Sequence, residues 1–365
     1  MIVAEVLRQT ACRLKARAGA AARLEAELLL AEVRGQSRAR LLAELRRPVS
    51  SGELAVLEYL VTRRLEGEPV AYLLGRREFM SLEFRVGPGV LVPRPETETL
   101  VEKALEILRR GRRRRPVVAD VGTGCGNLAL SVAYYFPRAR IVATELSSAA
   151  LRWARLNARR LGLSHRVKFY RGDLLRPLLS RRGAFRDRVP RYRYRGYGTF
   201  PRRSGLGGSR ARSLVSPPAG RSLRSKAGPV LLCPGGPPVP AEPDAGGSRG
   251  RRGPRVDFVL ANLPYIPTGH LKSLPPEVQR EPRLALDGGS DGLDLYRRLL
   301  RQLGGVLRPG GHLVLEMSPE QEDPLRRLLV AAGFRRVGVI RDGAGRPRGF
   351  CGRFFPVKQG TRVGL

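Results

Sequence analysis

Cysteine is scarce and scattered in this sequence. The four residues, Cys12, Cys125, Cys233 and Cys351, form no CxxC pair. That spacing excludes a disulfide framework and a zinc site built on paired cysteines, and no metal is expected. Lysine is nearly absent: it supplies six of the 68 basic residues, so arginine supplies 62. Against 32 acidic residues this leaves a formal net charge of +36 over 365 residues. A charge of that size suits polyanions. The bias to arginine, with 43 Gly and 29 Pro, also fits a GC-rich genome, so charge alone does not imply a nucleic-acid substrate. Long apolar runs are missing too. The most apolar N-terminal run, "AELLLAEV", is far too short to span a bilayer. "MIVAEVLRQTACRLKARAG" lacks the apolar stretch and cleavage signal of a secreted protein. A soluble, cytoplasmic chain with no membrane partner is expected.

What is present divides the chain into parts. Residues 1–75 read as a small helical domain. Leu24, Leu28 and Val33 recur at helical spacing before Gly35, and a Ser cap precedes Leu54, Leu57, Leu60 and Val61. Residues 76–100 read as a linker. It holds a hairpin-like segment around Phe79 to Val86, then Pro93 and Pro95 ahead of an acidic first helical turn. Residues 101–357 alternate between strand and helix, which indicates an α/β domain with a mostly parallel sheet and helices on both faces. The last two strands are joined closely, so one of them can run antiparallel. Residues 176–254 break the pattern. Over 176–255 there are 14 Gly, 12 Pro and 19 basic against three acidic residues, with no apolar period. Such a stretch buries too little apolar surface to order itself and is expected to be a disordered basic insertion.

The chemistry gathers at strand tips. In "ADVGTGCGNLAL" a strand ends at Val121, and Gly122, Gly124 and Gly126 open a helix. Glycines there let the backbone turn and approach a ligand. About twenty residues on, Glu145 ends the next strand, where an acid can accept from two ribose hydroxyls. Asp173 follows the third strand, placed to accept from an exocyclic adenine amine. A nicotinamide cofactor would use the same devices, so these three tips leave the cofactor open. The fourth tip, Asn262-Leu263-Pro264-Tyr265, narrows it. An amide or aryl amine nitrogen is a poor nucleophile because its lone pair is delocalised. The Asn262 side-chain carbonyl and the Leu263 main-chain carbonyl can accept its two N–H bonds and turn the lone pair toward a methyl donor. Pro264 limits the backbone and Tyr265 can pack on a planar group. Alignment is then the main catalytic device. The plain alternative for a bare NxPY is an Asn-Pro turn.

"DVGTGCGNLALSVA", "TELSSAALRWARLNA", "RGDLL" and "ANLPYIP" resemble the motifs of class I S-adenosylmethionine-dependent N-methyltransferases. More narrowly, "REFMSLEFRVGPGVLVPRPETETLVE" and "EPRLALDGGSDGLDLYRRLL" resemble the HemK-type peptide chain release factor glutamine methyltransferases. The resemblance covers residues 1 to about 175 and 256 to about 355. It implies a Rossmann-like, mostly parallel seven-stranded sheet with a small N-terminal helical domain. It also implies S-adenosyl-L-methionine as cofactor. The substrate it implies is the glutamine side chain in the Gly-Gly-Gln motif of class 1 release factors. By matching motif, Gly122, Thr123, Gly124, Cys125 and Gly126 hold the methionine part of the cofactor. Glu145 holds the ribose, Asp173 and Leu174 flank the adenine, and Asn262 borders the cofactor. Asn262, Leu263, Pro264 and Tyr265 hold the glutamine amide as catalytic residues, and Pro93, Arg94, Pro95 and Glu96 border the substrate pocket.

Two departures stand out. The family usually carries Asn-Pro-Pro-Tyr, whereas Leu263 here keeps the main-chain acceptor and loosens the backbone. NLPY is also the form seen in ribosomal RNA adenine dimethyltransferases, which lack the N-terminal helices and the "PRPET" linker. The other departure is the insertion, which sets Asp173 and Asn262 89 positions apart. Its composition suits a basic loop beside the site or a frameshift artefact. Within it "RYRYRGYGTF", Arg191 to Phe200, interleaves arginine with aromatics as single-strand nucleic-acid binders do, or is unselected low complexity. Any nucleic-acid contact is expected there. Two rival readings remain at this stage: an adenine N-methyltransferase acting on RNA or DNA, and an inactive methyltransferase scaffold that binds RNA.

Overall fold

The computed structural model describes residues 1–179 and 255–356. Most of the expected insertion, with Arg191 to Phe200 and Cys233, lies outside them. Five helices come first: α1 Val3–Ala18, α2 Ala22–Val33, α3 Arg38–Ala43, α4 Ser51–Leu65 and α5 Val70–Leu74. The α4 start is fixed locally. The Ser50 side chain accepts from the Glu53 N–H (3.2 Å) while Glu53 Oε2 accepts from the Ser50 N–H (2.7 Å). The apolar face of α2 differs from the one expected. Leu24 is exposed, and Ala22, Ala26, Leu29 and Leu30 are buried. The small alanines admit close packing against α1, and spacing of the leucines alone does not reveal that.

A hairpin follows, β1 Arg76–Phe79 paired antiparallel with β2 Leu82–Arg85. Its turn residues Met80 and Ser81 both take positive φ (52° and 56°), which suits a two-residue turn but strains these side chains. Anchors offset the strain: Glu98 Oε1 accepts from the Met80 N–H (2.7 Å), and the Tyr135 hydroxyl donates to the Met80 carbonyl (2.6 Å).

Next come α6 Glu98–Arg110, β3 Val117–Val121, α7 Asn127–Tyr135, β4 Arg140–Glu145, α8 Ser148–Arg160 and β5 Val167–Arg171. A short helix α9, Arg176–Leu179, ends this run. These four residues correct the expected start of the unstructured stretch. Leu175 and Leu178 are buried in the core, and the Leu175 N–H donates to Gln302 Oε1 (2.8 Å), so the chain stays ordered past Asp173. Beyond residue 254 lie β6 Val256–Ala261, α10 Pro276–Gln279, α11 Asp294–Val306, β7 Leu307–Glu316, α12 Glu322–Ala331, β8 Phe334–Arg341 and β9 Pro347–Phe354.

Seven strands form one sheet in the order β5-β4-β3-β6-β7-β9-β8. Pairs from β5 through β7 are parallel, and β9 runs antiparallel to both β7 and β8. Alternate residues feed two cores, one on each face. Val118, Phe258 and Leu260 join the core under α6 and α7, while Ala119, Val121, Val259 and Ala261 join the one under α11 and α12. All six residues of β6 are buried, as befits a central parallel strand. Helix α11 buries Tyr296, Leu299, Leu300, Leu303 and Val306, one face at helical spacing. No described helix is long and apolar enough to cross a membrane.

Order reverses between β4 and β6, on either side of β3. In open α/β sheets ligands bind outside the carboxyl ends of strands at such a switch point. Val121 pairs with Thr144 on one side and Ala261 on the other, so Gly122, Glu145 and Asn262 emerge together one step later.

Candidate active site

Gly122, Gly124 and Gly126 take φ of 71°, 57° and 88°, a run that residues with a Cβ adopt only with strain. A Cβ on Gly122 would lie 3.1 Å from Leu263 Cδ2, so the glycine turn and the NLPY segment are in contact. Asp120 is fully buried beneath the turn. Its Oδ2 accepts from the Thr123 hydroxyl (2.6 Å) and the Ala129 N–H (3.1 Å), and its Oδ1 has no partner among the described residues. Burial pushes the Asp120 carboxyl up to about 7. Asn157, also fully buried, donates to the Cys125 carbonyl (3.0 Å) and exchanges bonds with the Arg85 backbone (2.7 and 2.9 Å). It thereby ties the turn to the hairpin.

The Glu145 carboxylate accepts from the Gly124 N–H (2.9 Å) and the Ser147 N–H (2.8 Å). Burial raises its pKa. Each oxygen keeps acceptor capacity for a further donor. Asp173 sits two residues beyond β5 and pairs with Arg298 of α11 (2.6 Å) and Arg176 (3.5 Å). Its neighbour Leu174 takes φ 47°, which turns the chain beside the same space.

Asn262 follows β6 directly. Its Nδ2 donates to Thr97 Oγ1 (3.3 Å), which leaves the side-chain carbonyl as its remaining polar atom. Leu263 is buried. The Tyr265 hydroxyl donates to Glu316 Oε1 (3.4 Å), and burial raises the phenol's pKa. The Tyr265 carbonyl accepts from Gln321 Nε2 (2.9 Å). The "DGGSDG" loop closes on this segment: the Gly288 N–H reaches the Ile266 carbonyl (2.8 Å) and the Thr268 N–H the Gly289 carbonyl (2.8 Å). A Cβ on Gly288 would stand 2.8 Å from Tyr265 Cα, so the glycines there serve close approach.

A cavity of about 620 Å³ opens over these tips, within the range of ligand sites. Gly122, Thr123, Gly124, Cys125, Glu145, Asp173, Leu174, Asn262, Leu263, Pro264, Pro93 and Arg94 all line it. Gly126 does not; it caps α7 instead. A second cavity of about 200 Å³ shares Asn262, Leu263 and Pro264 as a wall and adds Tyr265 and Glu316. Pro95 and Glu96 line neither. Pro95 opens a single 3-10 turn, and the Glu96 carboxylate lies 3.7 Å from Arg348. Arg94 pairs with buried Glu281 (2.6 Å), whose other oxygen accepts from the Val92 N–H (3.2 Å). Among the described residues no three His, Cys, Asp or Glu side chains gather to hold a metal.

Several participants were not singled out from sequence: Thr97, Asp120, Glu281, Glu316 and Gln321. One had a readable signal. Glu316 ends "LVLE" at a strand tip, as Glu145 ends "VATE". Thr97, Glu281 and Gln321 are recognised only through partners distant in the chain, and Asp120 through its burial beneath the turn.

A glycine turn, an acid on the next tip and an amide-bearing fourth tip around one cleft at a switch point are what a methyltransferase of the class I type presents. Residues 118–186 match the family described as "Methyltransferase domain". Residues 5–75 match the family described as "PrmC N-terminal domain". Over 351 residues the chain is 37% identical to the release factor glutamine methyltransferase of Moorella thermoacetica, covering 96% of this chain and 98% of that one. It is 35% identical to the enzyme of that name from Bordetella pertussis (88% and 92% covered) and 32% identical to that from Geobacter sulfurreducens (91% and 89%). The chain belongs to the release factor glutamine methyltransferase family.

Proposed function

We infer that this protein transfers a methyl group from S-adenosyl-L-methionine to the side-chain amide nitrogen of a release-factor glutamine, that of the Gly-Gly-Gln motif in class 1 factors. The observation that carries this reading is the wall shared by the two cavities. Asn262, Leu263 and Pro264 separate a large cleft over the glycine turn from a small chamber, so a group held in the chamber faces the cleft across the acceptors.

The residues fit the cofactor. Positive φ at three successive glycine positions keeps the turn low. Thr123, Gly124 and Cys125 would border its amino-acid end, Glu145 its ribose hydroxyls, and Leu174 its base. Asp173 would reach an adenine amine while keeping Arg298. When bound, the cofactor supplies an electrophilic methyl group. The protein supplies alignment. Asn262 gives one N–H to Thr97, which orients the side chain so that its carbonyl accepts one amide N–H, and the Leu263 carbonyl takes the other. Holding a weak nucleophile in line can replace activation by a base, because positioning alone contributes several kcal/mol or more. Tyr265, locked at both ends by Glu316 and Gln321, offers its ring to the planar amide.

The helical domain of residues 1–75 is proposed to recognise the release factor, with residues 76–100 as linker, and a cytoplasmic site of action follows from that substrate. Nothing in the geometry favours the adenine or the inactive-scaffold readings. Labelled-cofactor assays with release factor, stripped ribosomal RNA and no substrate test the inference. Label in release factor alone is expected; label in RNA with none in release factor would overturn it.

A further inference from the structure

Glu316 stands where the mechanism has left a need. It ends β7 beside β6, one step past the Ala261–Leu315 pair, and so lies level with Asn262. It is 4% exposed and lines the small chamber with Arg94, Asn262, Pro264 and Tyr265. Tyr265 and Thr97 both hydrogen-bond its carboxyl group, yet its Oε2 is buried with no partner among the described residues. Thr97 is in turn the acceptor for Asn262, so one chain of bonds runs from the acceptor amide to this carboxyl.

A side-chain amide brings three polar groups into the chamber. Two N–H bonds are met by Asn262 and Leu263. Its carbonyl oxygen needs a donor, because an acceptor left unpaired in a buried space keeps the full penalty of losing water. An ionised carboxylate would repel that oxygen; a protonated carboxyl donates to it. Burial favours the protonated form and pushes the Glu316 carboxyl up to about 7. Glu96 adds to this, while the bonds from Thr97 and Tyr265 and the charge of Arg348 oppose it. Arg348 is shared with Asp342 (2.9 Å) and Glu96 (3.7 Å), and Arg94 is held by Glu281 (2.6 Å).

We propose that Glu316 reads the carbonyl half of the substrate amide, its Oε2–H donating to the oxygen while Asn262 and Leu263 hold the nitrogen. The chamber thereby selects a carboxamide over an amine, which lacks that oxygen. This rests on the glutamine-methylation reading above. The test is the pH profile of release-factor methylation, with labelled cofactor, for the protein and for Glu316→Gln and Glu316→Met. The unaltered protein should lose kcat/KM as pH rises through about 7 and the donor is lost. Glu316→Gln keeps an N–H donor and has no proton to lose. Its alkaline decline should vanish, and it should stand at least about tenfold above Glu316→Met, whose loss falls mainly on KM. Cofactor binding should be kept in both variants. Met within a few-fold of the unaltered protein, or Gln as impaired as Met, would overturn the proposal. Should the Met variant fail to fold, the Gln profile alone decides, because an unchanged alkaline decline refutes the donor role. Failure of the underlying reading looks different: the unaltered protein would then not methylate release factor at any pH.

Discussion

Replacing Asp120 with asparagine changes one buried atom beneath the glycine turn. The asparagine carbonyl can keep both existing contacts, to the Thr123 hydroxyl and the Ala129 N–H, and its NH2 takes the place of the oxygen that has no partner. The size of the effect follows from linkage. In the unfolded chain the carboxyl ionises near its ordinary 3.8, whereas burial in the fold pushes it up to about 7. Between those values the unfolded state has lost a proton that the native state keeps, so stability falls as pH rises and levels off above the folded value. Near pH 5 about one unit of this difference is already realised, and near pH 8 about three. The two further units, at about 1.4 kcal/mol each, make the carboxyl cost on the order of 3 kcal/mol more near pH 8 than near pH 5. Asparagine does not titrate. Any fixed penalty for its NH2 is the same at both pH values and cancels from the comparison. Urea denaturation of both proteins at the two pH values measures the quantity directly. The expected result is that Asp120→Asn gains about 2–3 kcal/mol relative to the unaltered protein on moving from near pH 5 to near pH 8. An equal stability difference at the two pH values would show that Asp120 titrates normally and that its burial carries no charge penalty.

Asn262→Ala should keep cofactor affinity within a few-fold and lower turnover by about 10²–10³-fold, the usual loss for one orienting polar group. Isothermal titration and the labelled-methyl assay check the two halves separately. Gly292→Ala drives a Cβ into the Tyr265 carbonyl and Gln321 Nε2 (2.5 Å) at a φ of 77°. A loss of roughly 2–4 kcal/mol in denaturation free energy is expected from strain and overpacking together. Burial already holds the Glu281 carboxyl above its ordinary range, and Arg94 opposes that shift. Arg94→Ala should push the carboxyl further up, so that in urea denaturation stability falls more steeply than in the unaltered protein as pH rises above the ordinary carboxylate range.

The sheet was legible because its strands alternate with amphipathic helices and end on residues that make poor sheet. Val121 gives way to glycine and Ala261 to asparagine, and each change marks a tip correctly. Glu145 and Asn262 were therefore visible in the sequence, and the structure brings both to one cleft. Two things were hidden. The first is pairing across the chain: Thr97 meets Asn262 and Arg94 meets Glu281 although well over a hundred positions separate each pair. Periodicity speaks only of neighbours along one element. The second is packing between small residues. Leu24 looked like core but is exposed, because alanines on another face of α2 permit a closer approach than leucines do. In the loop after Asp287, Gly288 and Gly292 answer to the backbone of Tyr265, a demand no local pattern announces.

The place of β6 in the sheet has a consequence for synthesis. Strands β3, β4 and β5 are contiguous in the chain and can pair as soon as they emerge. The remaining partner of β3 begins only at Val256, after the 84 residues that follow Arg171. At about 5–20 residues per second that wait is on the order of ten seconds. During it β3, destined for the centre, presents an open edge of unpaired N–H and C=O groups together with apolar side chains. The nascent half-sheet is thus most exposed to wrong pairing in the interval before the ribosome delivers the strand that carries Asn262.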